Sequence, residues 1–216
     1  MRAQKGFTLV EIAIVLVIVG LLLGGVLKGQ SLIGSAKINN VIKKMQSLQT
    51  SFYAFGDKYG GVPGDLRNAS GVISGEATDC STNCDNGRID GWQNASMALN
   101  HLSAAGLYSG PFASTETNAR PTVTDAPDNS FGGAMFMRRW NQIAFTGTRQ
   151  NHTAVWTGDN MPAEVLAEID RKIDDGFPQT GSFRASWPDF NGRRCFDATA
   201  NTWELDGENC GGALLF

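Results

Sequence analysis

Glu11 is the only charged residue in an otherwise apolar stretch running from Phe7 to Leu27. A carboxylate within such a segment costs roughly 2.5–3.5 kcal/mol at mid-membrane depth on insertion scales, so it needs a partner. The nearest source is the α-amine that cleavage after Gly6 would create on Phe7. Gly6, Phe7 and Glu11 are the candidates for one chemistry: were the chain cut after Gly6, behind the short basic leader (Arg2, Lys5), the new amine could pair with Glu11 in an apolar setting. A second candidate is the run DCSTNCDNGRIDG. With Gly87 as the turn glycine of an EF-hand, the first ligand positions fall on Thr82 and Cys84, and Gln93 stands where a bidentate Glu belongs. The EF-hand reading fails. An irregular calcium site built from Asp79, Asp85, Asn86 and Asp90 is the metal alternative, and Asx-rich surface turns are the plainer one.

The four cysteines form two local pairs, Cys80/Cys84 and Cys195/Cys210. In an oxidising compartment these become disulfides. Zinc is the rival, but the pair spacings, with His101 and His152 alone in addition, make a poor ligand set. His101, on a helix face beside Leu102, reads as a packing or hydrogen-bonding residue. No G-x-S-x-G, H-E-x-x-H or P-loop motif occurs. Asp174 and Asp175, in IDDG, read as turn formers. Trp92, Trp140, Trp156, Trp187 and Trp203 either line a sugar- or surface-binding face or anchor the core.

The elements that must carry these residues follow from pattern. Residues 7–58 read as one helix, because no proline occurs before Pro63. Its first part, 7–27, is long enough to cross a bilayer. An uncut anchor explains that run but not Glu11. An ordinary signal peptide cut near Gly34-Ser35-Ala36 would place Lys28 between run and cut site. Further on, Ile38, Val41, Met45, Leu48, Phe52, Phe55 and Tyr59 recur every three or four residues as one stripe. That stripe serves a following sheet or a coiled-coil seam. Gly60-Gly61-Val62-Pro63-Gly64-Asp65 ends the helix. Beyond it, the patterns predict helices over 94–107 and 161–173. Short strands are predicted over 134–140, 143–146 and 153–157, with a hairpin joining 194–196 to 202–204. The domain scheme is a leader 1–6, a membrane and assembly segment 7–27, an amphipathic helical half 28–59 and a globular head 60–216.

The net charge is −3, and removing two of the 18 basic residues with the leader leaves 16 against 21 acidic, or −5. A mildly acidic body argues against nucleic acid as a partner. Lys28, Lys37, Lys43 and Lys44 follow the apolar run, a bias that alone would face the body inward; the paired cysteines point the other way.

The segment KGFTLVE followed by an apolar helix resembles the processing site of type IV prepilins and of type II secretion pseudopilins. YGGVPGDLRNA, NGRIDGW and KIDDGFPQTGSFRA resemble, more loosely, a subgroup of larger prepilin-type proteins. The resemblance implies a type IV pilin-like α+β fold: a long N-terminal helix on a small antiparallel sheet, with a loop-rich C-terminal region. It implies cleavage after Gly6 by a prepilin peptidase, N-methylation of Phe7, and Glu11 pairing with the amine of a neighbouring subunit. It further implies an inner-membrane single-pass precursor that moves to a periplasmic or cell-surface filament. Partners would be copies of itself or sister pilins, the peptidase, and an inner-membrane assembly platform driven by a cytoplasmic ATPase. The expected role is structural, minor or specialised, and non-enzymatic, with no cofactor beyond the calcium considered above. Pilus (fimbrium) and type II secretion filament both stay open. A membrane-anchored adhesin, lectin-like or enzymatic domain is the alternative.

Overall fold

A computed structural model describes residues 9–113, 119–141, 143–144, 151–186 and 195–216. Helix α1 runs Leu9–Tyr59 without interruption. It stops at Gly60, whose φ of 68° is the left-handed conformation that glycine takes without steric penalty, and Gly60 N–H donates to Gly56 O. The chain divides within this helix into two compact units, Met1–Lys37 and Ile38–Phe216.

In the first unit the described residues are helical, and their large apolar side chains, from Leu9 to Ile33, are exposed. It is long and apolar enough to cross a membrane.

In the second unit the helical residues Ile38, Val41, Ile42, Met45, Leu48, Ser51 and Phe55 are buried. They share one apolar core with the sheet, so the stripe serves the head. The buried face is wider than the predicted stripe: Ile42 and Ser51 join it, while Phe52 and Tyr59 stay half-buried. Ser51 is accommodated because its hydroxyl donates to Leu107 O.

The head is antiparallel. Strands β1 (Phe136–Trp140), β2 (His152–Trp156), β3 (Phe183–Ala185) and β6 (Gly212–Leu215) form a sheet in the order β1-β2-β6-β3. Strands β4 (Phe196–Asp197) and β5 (Thr202–Trp203) form a separate hairpin, with Phe196 opposite Trp203. Neither β3 nor β6 is predicted by pattern; both are too short to show alternation, and β6 is the C-terminal end of the chain inserted between β2 and β3. Ile143 makes one bridge, to Ser186, where a strand over 143–146 is expected; residues 145 and 146 lie outside the described residues. Helix α2 (Ala69–Val72) is a single turn. Helix α3 (Gly91–Ala104) starts three residues earlier than predicted and ends earlier, with Gly106 at φ 69°. Helix α4 (Ala163–Ile173) follows Pro162 and buries Val165, Leu166 and Ile169.

Helix α3 is buried continuously from Asn94 to Leu102. Its polar residues bond to the segments on either side of it, whose one helical turn among the described residues is α2. Asn94 Nδ2 donates to Gly64 O, Asn100 Oδ1 accepts from Thr78 N, and Asn100 Nδ2 donates to Glu76 O and Phe112 O. Backbone groups packed against a buried helix must be satisfied somewhere, and here α3 supplies that. Gly64, at φ 81°, lies so close that a Cβ would come 2.2 Å from Asn94 O.

Candidate functional site

Gly6 and Phe7 lie outside the described residues. Glu11 is in the first turn of α1 and exposed. A carboxylate there complements the partial positive charge of the helix N-terminus, the same region a cleaved amine would occupy. From Ile12 the same helix continues with exposed Ile14, Val15, Leu16, Val17 and Ile18, an apolar surface left open among the described residues.

The structure links Cys80 to Cys84 and Cys195 to Cys210, with Cα–Cα distances of 5.8 Å in both. The first closes the loop before α3. The second ties the β4–β5 hairpin to the segment entering β6, where Met161 and Cys210 exchange backbone hydrogen bonds.

Of the four residues of the calcium reading, Asp79 and Asp85 bond to other residues, while Asn86 and Asp90 bond to each other. Asp79 accepts from Ser70 N–H and Ser70 Oγ, at the start of α2, and these bonds hold its carboxyl below the usual range. Asp85 accepts from the backbone and the Nε of Arg67. Asn86 Nδ2 donates to Asn83 O and to Asp90 Oδ2, and Asp90 also lies in the field of Arg138. Among the described residues, the acidic groups whose ligand atoms converge within 4.8 Å are Asp170, Asp174 and Asp175. Asp174 accepts from Phe183 N–H, and Asp175 accepts from Phe177 N–H and Thr180 Oγ, so both organise the turn after α4. Asp170, which pattern reading passes over, is fully buried and accepts from Trp203 Nε1 and Gly176 N–H. Burial, partly offset by the Trp203 bond, pushes its carboxyl up to about 6. Its signal in the sequence is faint: an Asp on the apolar side of α4, one residue after Ile169.

His101 is buried, and both ring nitrogens are used. Nδ1 accepts from Gly64 N–H at 2.9 Å, and Nε2 lies 2.7 Å from Thr78 O, which fixes the proton on Nε2. Burial lowers its pKa. The described tryptophans do not form one face. Trp92, Trp140 and Trp156 cluster with Phe136, and the Arg138 guanidinium sits 4.1 Å and 4.2 Å from the ring centres of Trp92 and Trp140. Those π faces replace hydrogen-bond acceptors for its buried Nε and Nη1. Burial brings the Arg138 pKa down to about 10, so it stays cationic at neutral pH. Trp203 is buried elsewhere, and Trp187 lies outside the described residues. An open concave site is lined by Arg120, Val123, Gly132, Gly133, Asp159 and Asn160, with Arg120 and Asp159 forming an ion pair.

Among the described residues, the longest run of exposed apolar side chains is on α1, from Ile12 to Leu27. Residues 1–27 match the family model described as the prokaryotic N-terminal methylation motif. The chain carries the prepilin-type cleavage and methylation signature of type IV pilins and pseudopilins. No curated protein and no solved structure matches it. With that signature, the long α1 and the small antiparallel sheet with two disulfides form an α+β arrangement consistent with a type IV pilin-like fold. The signature and the apolar N-terminal helix fit a membrane-anchored precursor.

Proposed function

We propose that this chain is a non-enzymatic structural subunit, minor or specialised, of a type IV pilus or type II secretion-like filament. A prepilin peptidase cuts after Gly6 and methylates the amine of Phe7. The mature helix then leaves the inner membrane through an assembly platform powered by a cytoplasmic ATPase, and joins copies of itself or sister pilins. The observation that carries this reading is the prepilin signature continuing directly into an exposed apolar helix. Burial of that surface between neighbouring helices provides cohesion at about 25 cal/mol per Å². Glu11 provides register: a subunit one step out of place leaves its carboxylate unpaired in an apolar setting, at a cost of several kcal/mol.

Two measurements test this. Sequencing of the protein from its native host should begin FTLVE with a methylated first residue. An intact Met1, or a start near Lys37, would refute the processing step. Glu11→Val should leave the chain inserted and processed while reducing its recovery in sheared filaments; normal recovery would refute the charge-pairing role.

A further inference from the structure

Two turns of the head, Gly132-Gly133 and Gly158-Asp159-Asn160, line the open concave site, whose volume of about 270 Å³ is on the scale of one sugar ring. Asn129 holds both turns. It is fully buried, its Oδ1 accepts from Phe131 N–H and Gly133 N–H, and its Nδ2 donates to Thr157 O and Asp159 O. A Cβ on Gly133 would run into Asp159 O, so the turns come this close only with glycine there. Asn160, at φ 68°, is fixed twice: its N–H donates to Asn209 Oδ1 and its Nδ2 to Gly132 O. The Arg120 guanidinium is held as well. It pairs with Asp159 Oδ2 and sits 5.2 Å and 5.8 Å from the ring centres of Phe136 and Trp92.

These fixed groups keep hydrogen-bonding capacity in reserve. Among the described residues, Arg120 Nε and Nη2 donate to no acceptor, and Asp159 Oδ1 and Asn160 Oδ1 accept from no donor. Val123, 51% exposed, adds an apolar side chain to the lining. We propose that this site binds a neutral saccharide through a single pyranose ring. Charge selects against ions: an anion would have to displace Asp159 from Arg120, and a cation the reverse. Neighbouring donors and acceptors match neighbouring sugar hydroxyls, each of which both donates and accepts. Val123 offers an apolar surface to the C–H side of the ring. Because Asn129 and the stacked guanidinium hold these groups in place before any ligand arrives, binding costs little ordering. The site lies wholly in the head and is independent of the filament reading.

The test is saturation-transfer NMR on the full chain, solubilised in a detergent without a sugar headgroup. The probes are D-glucose, D-galactose, D-mannose and N-acetyl-D-glucosamine, each at millimolar concentration. One of them should receive saturation in a concentration-dependent, saturable way, and acetate and inorganic phosphate should fail to compete with it. Val123→Trp, which fills the site from an exposed position, should abolish the transfer. Asp159→Asn keeps the backbone oxygen that Asn129 binds and should weaken the affinity about tenfold, the effect of losing hydrogen bonds to a charged acceptor. Near-ultraviolet circular dichroism matching the parent chain establishes that both variants are folded. Equal binding of the methyl glycoside of the same sugar would mark the ligand as the end of a glycan chain, and its loss would mark a free sugar. No transfer to any of the four sugars, competition by acetate or phosphate, or transfer that survives Val123→Trp would overturn the proposal.

Discussion

Replacing Asp170 by Asn should make the head less sensitive to pH. The buried carboxyl of Asp170 is raised from 3.8 to about 6. A raised carboxyl pKa means the folded state keeps a proton that the unfolded chain has lost. Stability contributed by that proton is full below pH 4, declines as pH rises to 6, and is gone above it. A shift of about two pKa units corresponds to at most about 3 kcal/mol. Asn keeps one oxygen to accept from Trp203 Nε1 or Gly176 N–H, and its amide can donate to the neighbouring Asp174 or Asp175 carboxylate. The lost acceptor costs about 1 kcal/mol at any pH. Asp170→Asn should therefore destabilise slightly at pH 4 and stabilise by about 1–2 kcal/mol at pH 8. Urea unfolding of the detergent-solubilised chain, followed by tryptophan fluorescence, measures this, and Trp203 is a local reporter. Comparing the two proteins at each pH cancels every other titrating group. A difference that stays constant from pH 4 to pH 8 would show that Asp170 is ionised in the fold like a surface carboxylate, and the reasoning would fail.

Other outcomes follow from the same contacts. His101, held neutral, contributes stability that is full above pH 6.5 and is lost as pH falls below it, so His101→Gln should flatten the acid side of a stability profile. Replacing both Cys195 and Cys210 by Ser should cost about 3 kcal/mol, against about 2 for Cys80 and Cys84, because the first pair closes the longer loop; equal Tm losses would contradict this ordering. Leu48, fully buried on α1, should cost about 2–5 kcal/mol on replacement by Ala. A fragment from Ala36 to Phe216 should sediment as a monomer at micromolar concentration, since the 38–55 face already has the head to cover it; a stable dimer that Leu48→Asp converts to a folded monomer would refute that.

The sequence by itself determined what depends on local pattern or local chemistry. The processing segment, the uninterrupted helix and its stop at Gly60, the two cysteine pairs and the cores of α3 and α4 are all written in neighbouring residues. Their signals are short in range: an apolar run without proline, a glycine cluster, cysteines 4 and 15 positions apart. Only the tertiary structure decided what depends on distant partners. Strand β6 is four residues long and has meaning only between β2 and β3. Ser51 is buried because Leu107 O lies opposite it, and Asp170 because Trp203 and Gly176 reach it from later in the chain. The Asp79–Asp90 run looks like a ligand set in one dimension. In three, Asp79 accepts from Ser70 and Asp85 from Arg67, since a carboxylate goes to whichever donors the fold brings within reach.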